Sequence, residues 1–336
     1  MGVERRGTIR GGILVAGLLA ACAESGSSPV EGSAGGGGGR GVLGPGASQF
    51  LELVPDAPFV NAYYGTRHVE LHHGGNTVEY REEVGSDGNG LFAIEPIEVL
   101  FPHPDPDVFL QVLRERQVFT YRFRDWRIHD YDKFLENYIA YVVDPDTSVA
   151  GIDSVRFDVV RDAPQPRNRY TVDIDPQTGL VLRWEERDII GALLGRMEFE
   201  TFQYGSGASG MTLVDRVFGN TTVHSIDDDL QTVFGFQPLI PTLPPASGMV
   251  VLPEIERMVV DEAINDVRAK VTVTDGVEVA VLVCERPVLA TASPSRVEVR
   301  EFGTWTGLEG EVKGYPVIGA GKFDVDDLSL MLQSAF

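Results

Sequence analysis

From Ile139 to Tyr204 the chain reads as a run of short strands separated by tight turns, and no other stretch limits the fold so strongly. Ile139 to Val143, Ser154 to Arg161, Arg169 to Ile174, Leu180 to Asp188 and Gly195 to Tyr204 are five candidate strands. Their separators include Asp144-Pro145-Asp146, Ala163-Pro164-Gln165-Pro166 and Asp175-Pro176-Gln177-Thr178-Gly179, each with the Pro, Gly or Asp that a turn requires. Consecutive short strands joined this way imply an antiparallel meander.

The flanks extend the pattern. Tyr63 to His72 and Thr77 to Val84 surround His73-Gly74-Gly75-Asn76, a hairpin signal, and Gly85 to Gly90 turn the chain into Leu91 to Ile94. Asp105 to Arg116 predicts a short helix, with Asp105 and Asp107 suited to its N-terminus. Val118 to Phe123 predicts a strand, and Tyr131 to Tyr138 a helix with Phe134, Leu135 and Tyr138 on one face. After a glycine-rich break at Gly205 to Gly210, Asp227-Asp228-Asp229 can open a helix running to Phe234, and Leu239 to Pro245 reads as an extended linker.

Met249 to Phe336 is a second unit of β character. Ala269 to Val273 and Glu278 to Cys284 flank the turn Asp275-Gly276. Arg296 to Glu301, Glu309 to Lys313 and Tyr315 to Ala320 add candidate strands. Asp324 to Gln333 predicts a closing helix with Val325, Leu328 and Leu332 on one face.

The net charge is −22, spread along the chain rather than blocked. Such a surface is repelled by nucleic acid and by anionic headgroups, so nucleic-acid binding is excluded. The two cysteines are Cys22 and Cys284. Cys284 ends the apolar run Val279 to Val283, which predicts a buried, inert thiol.

Cys22 has a different context. Arg5, Arg6 and Arg10 precede the apolar run Ile13 to Ala21, which is too short to span a bilayer. Leu19-Ala20-Ala21-Cys22 resembles the lipobox of bacterial lipoproteins, which implies a signal peptide over 1–21 and lipidation of Cys22. Residues 22–46, rich in Gly and Ser, then form a flexible tether with a reach of about 25 to 30 Å. Ala23 is not the aspartate that retains some lipoproteins at the inner membrane, so the outer membrane is the expected anchor on the periplasmic side.

Three further stretches carry a family resemblance: Glu136-Asn137-Tyr138, Val149-Ala150-Gly151 and Arg169 to Arg183. They are similar to the LolA-type lipoprotein-carrier superfamily, and within it to the N-terminal domain of the sigma-E regulators RseB and MucB. Tyr64-Gly65-Thr66 with Arg67 resembles the first strand of that domain. Thr274-Asp275-Gly276-Val277 and Gly314 to Gly319 resemble the regulators' small C-terminal domain. The resemblance implies an α+β fold, mainly antiparallel β: a curved half-barrel sheet plugged by short helices over 47–205, a linker over 206–248 and a smaller C-terminal α+β domain over 249–336. It also implies a cavity able to hold acyl chains, and Phe109, Leu113, Phe119, Tyr121, Trp126, Phe134, Trp184 and Phe199 are the expected lining. The implied partner is the periplasmic segment of an anti-sigma factor. The other reading is a protein that binds or transfers lipid or lipoprotein.

Nothing points to catalysis. There is no Gly-x-Ser-x-Gly, and Gly205 to Gly210 lacks the lysine of a phosphate loop. His68, Glu70 and His72 share one strand face, but in a strand the first and last stand about 13 Å apart. A polar strand edge is expected there. No cofactor, no metal and no catalytic residue are expected.

Overall fold

The computed structural model describes residues 48–73, 75–115, 123–163, 166–205, 211–215, 221–243, 248–261, 266–287, 296–302 and 305–323, together with 328 and 331. The predicted lipidation site Cys22, the tether, and the lining candidates Phe119 and Tyr121 lie outside the described residues.

The first unit is a nine-stranded open sheet. Its strands are β1 (Ala62–His73), β2 (Asn76–Asp87), β3 (Leu91–Val99), β4 (Tyr138–Val149), β5 (Ile152–Arg161), β6 (Asn168–Ile174), β7 (Val181–Asp188), β8 (Leu193–Tyr204) and β9 (Val214–Asp215). The order is β4-β5-β6-β7-β8-β1-β2-β3-β9, antiparallel throughout and not closed into a barrel. Among the described residues, four short helices belong to the same stretch of chain: α1 (Ser48–Leu51), α2 (Ala57–Val60), α3 (Pro106–Glu115) and α4 (Tyr131–Asn137). The fold is the expected half-barrel, α+β and mainly antiparallel.

Alternation builds its core. Phe157, Val172, Trp184, Met197, Val69 and Tyr80 are successive register partners across six strands, so they form one row on the inner face. All six are buried, and Leu51, Val54, Ala57, Trp126, Ile128 and Phe134 cover them from the helical side. Two expected elements differ. Asp144-Pro145-Asp146 is not a turn: β4 continues through it with two register shifts, and the chain turns at Ala150-Gly151, both with positive φ. β4 is an edge strand, where a proline needs no ladder partner and a bulge absorbs the misfit. The strand expected at Val118 to Phe123 lies outside the described residues except for Phe123, which is in no strand.

The second unit is a seven-stranded sheet of β10 (Thr221–Ser225), β11 (Val250–Asp261), β12 (Asp266–Thr274), β13 (Val279–Glu285), β14 (Arg296–Phe302), β15 (Trp305–Val312) and β16 (Tyr315–Gly321). Its order is β10-β11-β12-β13-β16-β15-β14. The helix opened by the aspartates is α5 (Leu230–Phe234), with Asp229 accepting the Thr232 amide as N-cap. Leu230, Phe234, Phe236 and Leu239 pack on this sheet together with Leu328 and Met331, the two described residues of the expected closing helix. Cys284 is buried here, and its Sγ accepts the Leu239 amide at 3.4 Å.

Candidate functional site

Two places hold more polar chemistry than a core requires. The first lies on the inner face of the half-barrel. Arg67 and Glu82 are register partners on β1 and β2, both on the inward parity of their strands. Arg67 Nε donates to Glu82 Oε1 at 2.5 Å, and its Nη1 meets Asp125 Oδ2 at 2.8 Å. Arg124 donates to both Glu82 oxygens, at 2.7 and 2.9 Å, and to the Tyr80 hydroxyl at 2.7 Å. Burial pushes the Glu82 carboxyl up, but Arg124 and Arg67 outweigh it and hold it below its ordinary value.

A cleft adjoins this network. It is lined by Arg67, Asp125, Trp126 and Arg127 with Tyr63, Leu180, Met197, Phe199 and Phe202, among others. The space open to the centre of a water molecule is about 50 Å³, room for a few waters. Aromatic packing accounts for the small size: Tyr63 stacks on Phe202 at 5.7 Å, and Phe199 meets Phe202 edge-on at 5.1 Å. Gly65 is obligatory at this point, because a Cβ there would run into the Thr201 carbonyl oxygen on the neighbouring strand and stand 2.9 Å from the Phe199 ring.

The expected lining residues are thereby sorted. Trp126 and Phe199 line the cleft. Trp184 and Phe134 are buried in the same core without lining it, and Phe109 and Leu113 are partly buried against it. Phe109 instead joins Tyr80, Phe101 and His103 in a ring cluster. The Arg67–Glu82 pair was absent from the expected site. Its sequence signal was a charged residue on the inward parity of each of two adjacent strands.

The second place is the seam between the two sheets. The β12–β13 turn, Asp275 to Glu278, inserts against α4 and the start of β4. The Tyr138 hydroxyl donates to both oxygens of Asp275, each at 3.0 Å, and Arg161 Nε lies 3.5 Å away. Asn137 Nδ2 donates to the Asp275 carbonyl at 2.8 Å and the Gly248 carbonyl at 2.7 Å. The His129 amide donates to the Gly276 carbonyl at 2.7 Å. Glu278 Oε1 accepts from Asn168 Nδ2 at 3.0 Å and from the Tyr170 hydroxyl at 3.1 Å. The same Asn168 nitrogen reaches Glu186 Oε1 at 2.6 Å, and Lys322 Nζ donates to Glu186 Oε2 at 2.7 Å. Burial raises Tyr138 and Tyr170 well above the ordinary phenol value, with Asp275 and Glu186 adding to it, so both stay donors.

Among the described residues no group of three or more His, Cys, Asp or Glu is placed to hold a metal ion. His68 pairs with Glu79 at 2.8 Å and His72 with Glu70 at 2.7 Å. No described helix is long and apolar enough to cross a membrane.

No family model and no curated protein matches the sequence. Solved structures do. MucB in complex with MucA(peri) is 15% identical, with a TM-score of 0.47 over 86% of this chain and 98% of that one. MucB alone is 18% identical, with a TM-score of 0.48 over 88% of this chain and 99% of that one. A LolA superfamily protein from Nitrosomonas europaea is 10% identical, with a TM-score of 0.20 over 84% of this chain and 96% of that one. A likeness at this level does not place it in a family.

Proposed function

We propose that this chain is a non-enzymatic, lipid-anchored protein of the bacterial envelope that acts by docking on another protein, as an RseB/MucB-like regulator of an anti-sigma factor. The partner is the periplasmic segment of a membrane-bound anti-sigma protein, in keeping with the resemblance of Glu136-Asn137-Tyr138, Arg169 to Arg183 and Thr274 to Val277 to those regulators. One observation favours docking over carriage: among the described residues the cleft beside the interlocked rings of Tyr63, Phe199 and Phe202 holds about 50 Å³. A carrier needs a cavity that empties and refills.

The second reading, a protein that binds or transfers acyl chains, has its own support. The cleft is lined by Trp126 and Arg67, whose Nε1 and Nη2 are buried donors without an acceptor among the described residues. The test is calorimetric titration of the full chain with the periplasmic segment of its host's anti-sigma protein, alongside native mass spectrometry of the chain as purified. A one-to-one complex and a ligand-free mass support regulation by docking. No binding overturns it, and a co-purifying acyl-chain mass lost in Trp126→Glu establishes the second reading.

A further inference from the structure

The seam joins the two sheets through an acidic cluster with too few cations. Asp275, Glu278 and Glu186 are 0%, 3% and 3% exposed. The cations facing them are Arg161, 3.5 Å from Asp275, and Lys322, 2.7 Å from Glu186. Among the described residues, three carboxyl groups thus share these two positive charges. Glu278 is the one without a cation of its own. Among the described residues its Oε1 accepts from neutral donors, Asn168 and Tyr170, and the same Asn168 nitrogen also holds Glu186. Two carboxylates bridged by one amide in a buried site cannot both ionise cheaply.

We propose that docking of the second sheet on the half-barrel is proton-coupled, with the Glu278 carboxyl taking up the proton as the seam closes. The described groups facing Glu278 come from several elements. Asp275 comes from its own turn, Glu186 from β7, Tyr170 and Asn168 from β6, Tyr138 from β4, Arg161 from β5, and Lys322 from beyond β16. Burial raises the Glu278 carboxyl first, then Asp275 and Glu186, to about 7 against an ordinary 4.5. Asp275 moves the same way, burial again outweighing Arg161, so the pair titrates as a unit.

The sign follows from proton linkage. The docked state holds a proton that the undocked state releases above about pH 4.5, so docking is strongest below that pH. It weakens by roughly tenfold per pH unit while one proton separates the states. It levels off above about pH 7, where Glu278 is ionised in both. A protein facing a compartment that equilibrates with the outside medium would open its seam as that medium turns from acid to neutral.

Hydrogen exchange on the full chain reads this directly. The amides of His129 and Asp130 both donate to the Gly276 carbonyl across the seam. Their protection, corrected for intrinsic exchange, should fall on the order of a hundredfold from pH 5 to pH 7 and then hold steady. Glu278→Gln keeps an acceptor for Asn168 and Tyr170 and removes the titration, so its protection should stay flat across the range. Lys322→Met removes the cation beside Glu186 and should shift the fall to higher pH. Wild-type protection that does not change from pH 5 to pH 7 overturns the proposal. So does a Glu278→Gln profile that matches wild type, which would assign the transition to His129 or another group.

Discussion

Gly276 offers the sharpest test of how tightly the two sheets are joined. Its φ is +114°, a conformation side chains rarely adopt, and a Cβ built on it would stand 2.7 Å from Phe134 Cα and 2.8 Å from the Lys133 carbonyl carbon. Both are backbone atoms of α4, in the other unit, and cannot swing aside. Gly276→Ala therefore carries two costs, conformational strain of about 1–2 kcal/mol and overpacking of about 1–3 kcal/mol. Gly151 separates them, since it has a φ of +79° and open space around its would-be Cβ. Gly151→Ala should cost the strain alone, about 1–2 kcal/mol. Urea unfolding of both variants gives the comparison. Gly276→Ala should lose more stability by about 1–3 kcal/mol and should also lose protection at the His129 amide, whose bond to the Gly276 carbonyl crosses the seam. Equal losses in the two variants, with His129 still protected in Gly276→Ala, would refute the claim that this turn is clamped against α4.

Other perturbations probe the inner face, an exposed turn and the second core. Arg67→Met leaves Glu82, 1% exposed, with Arg124 as its remaining cation, and should destabilise by about 3–5 kcal/mol in chemical denaturation; a loss under about 1 kcal/mol would show that the pair is dispensable. Trp184→Ala opens a void at the centre of the cross-strand row and should cost about 3–5 kcal/mol, while Ile190→Ser, at a position 86% exposed, should stay within about 0.5 kcal/mol by the same measurement. Burial pushes the Cys284 thiol up to about 11, so at pH 8 it should resist iodoacetamide in the native protein and react on unfolding, as intact mass will read; rapid native alkylation would contradict its placement under Leu239.

Local chemistry made most of the half-barrel legible in the sequence. The strands from Tyr63 to His72 and from Ser154 to Tyr204 lie close to where alternation and turn residues put them, because each turn carries its own signal. Pro145 misled because a proline's meaning depends on whether its strand is an edge, a fact of tertiary order that no window of residues contains. β10 and β11 went unread for a related reason. They pair Thr221 to Ser225 with Met258 to Glu254, far along the chain, and neither bears strong alternation. The polar sites were half legible. Parity alone places Arg67 and Glu82 inward, and two opposite charges of inward parity on adjacent hairpin strands are a readable sign of a buried pair.

Asp275-Gly276 reads correctly as a hairpin turn, yet turn chemistry says nothing of what the turn touches. Its partners Asn137 and Tyr138 are 138 and 137 residues away. The useful clue is the residue mismatch. A solvent-facing hairpin tolerates any acid at its tip, whereas this tip has Glu278 entering an apolar strand, Val279 to Val283, with no basic residue nearby in sequence. An acid so placed must find its donors elsewhere or stay protonated, because a bare carboxylate cannot be buried. The structure supplies neutral donors, Asn168 and Tyr170, rather than a cation. That choice distinguishes a seam built only for strength, for which a salt-bridged or apolar contact would serve, from one whose closure responds to protons.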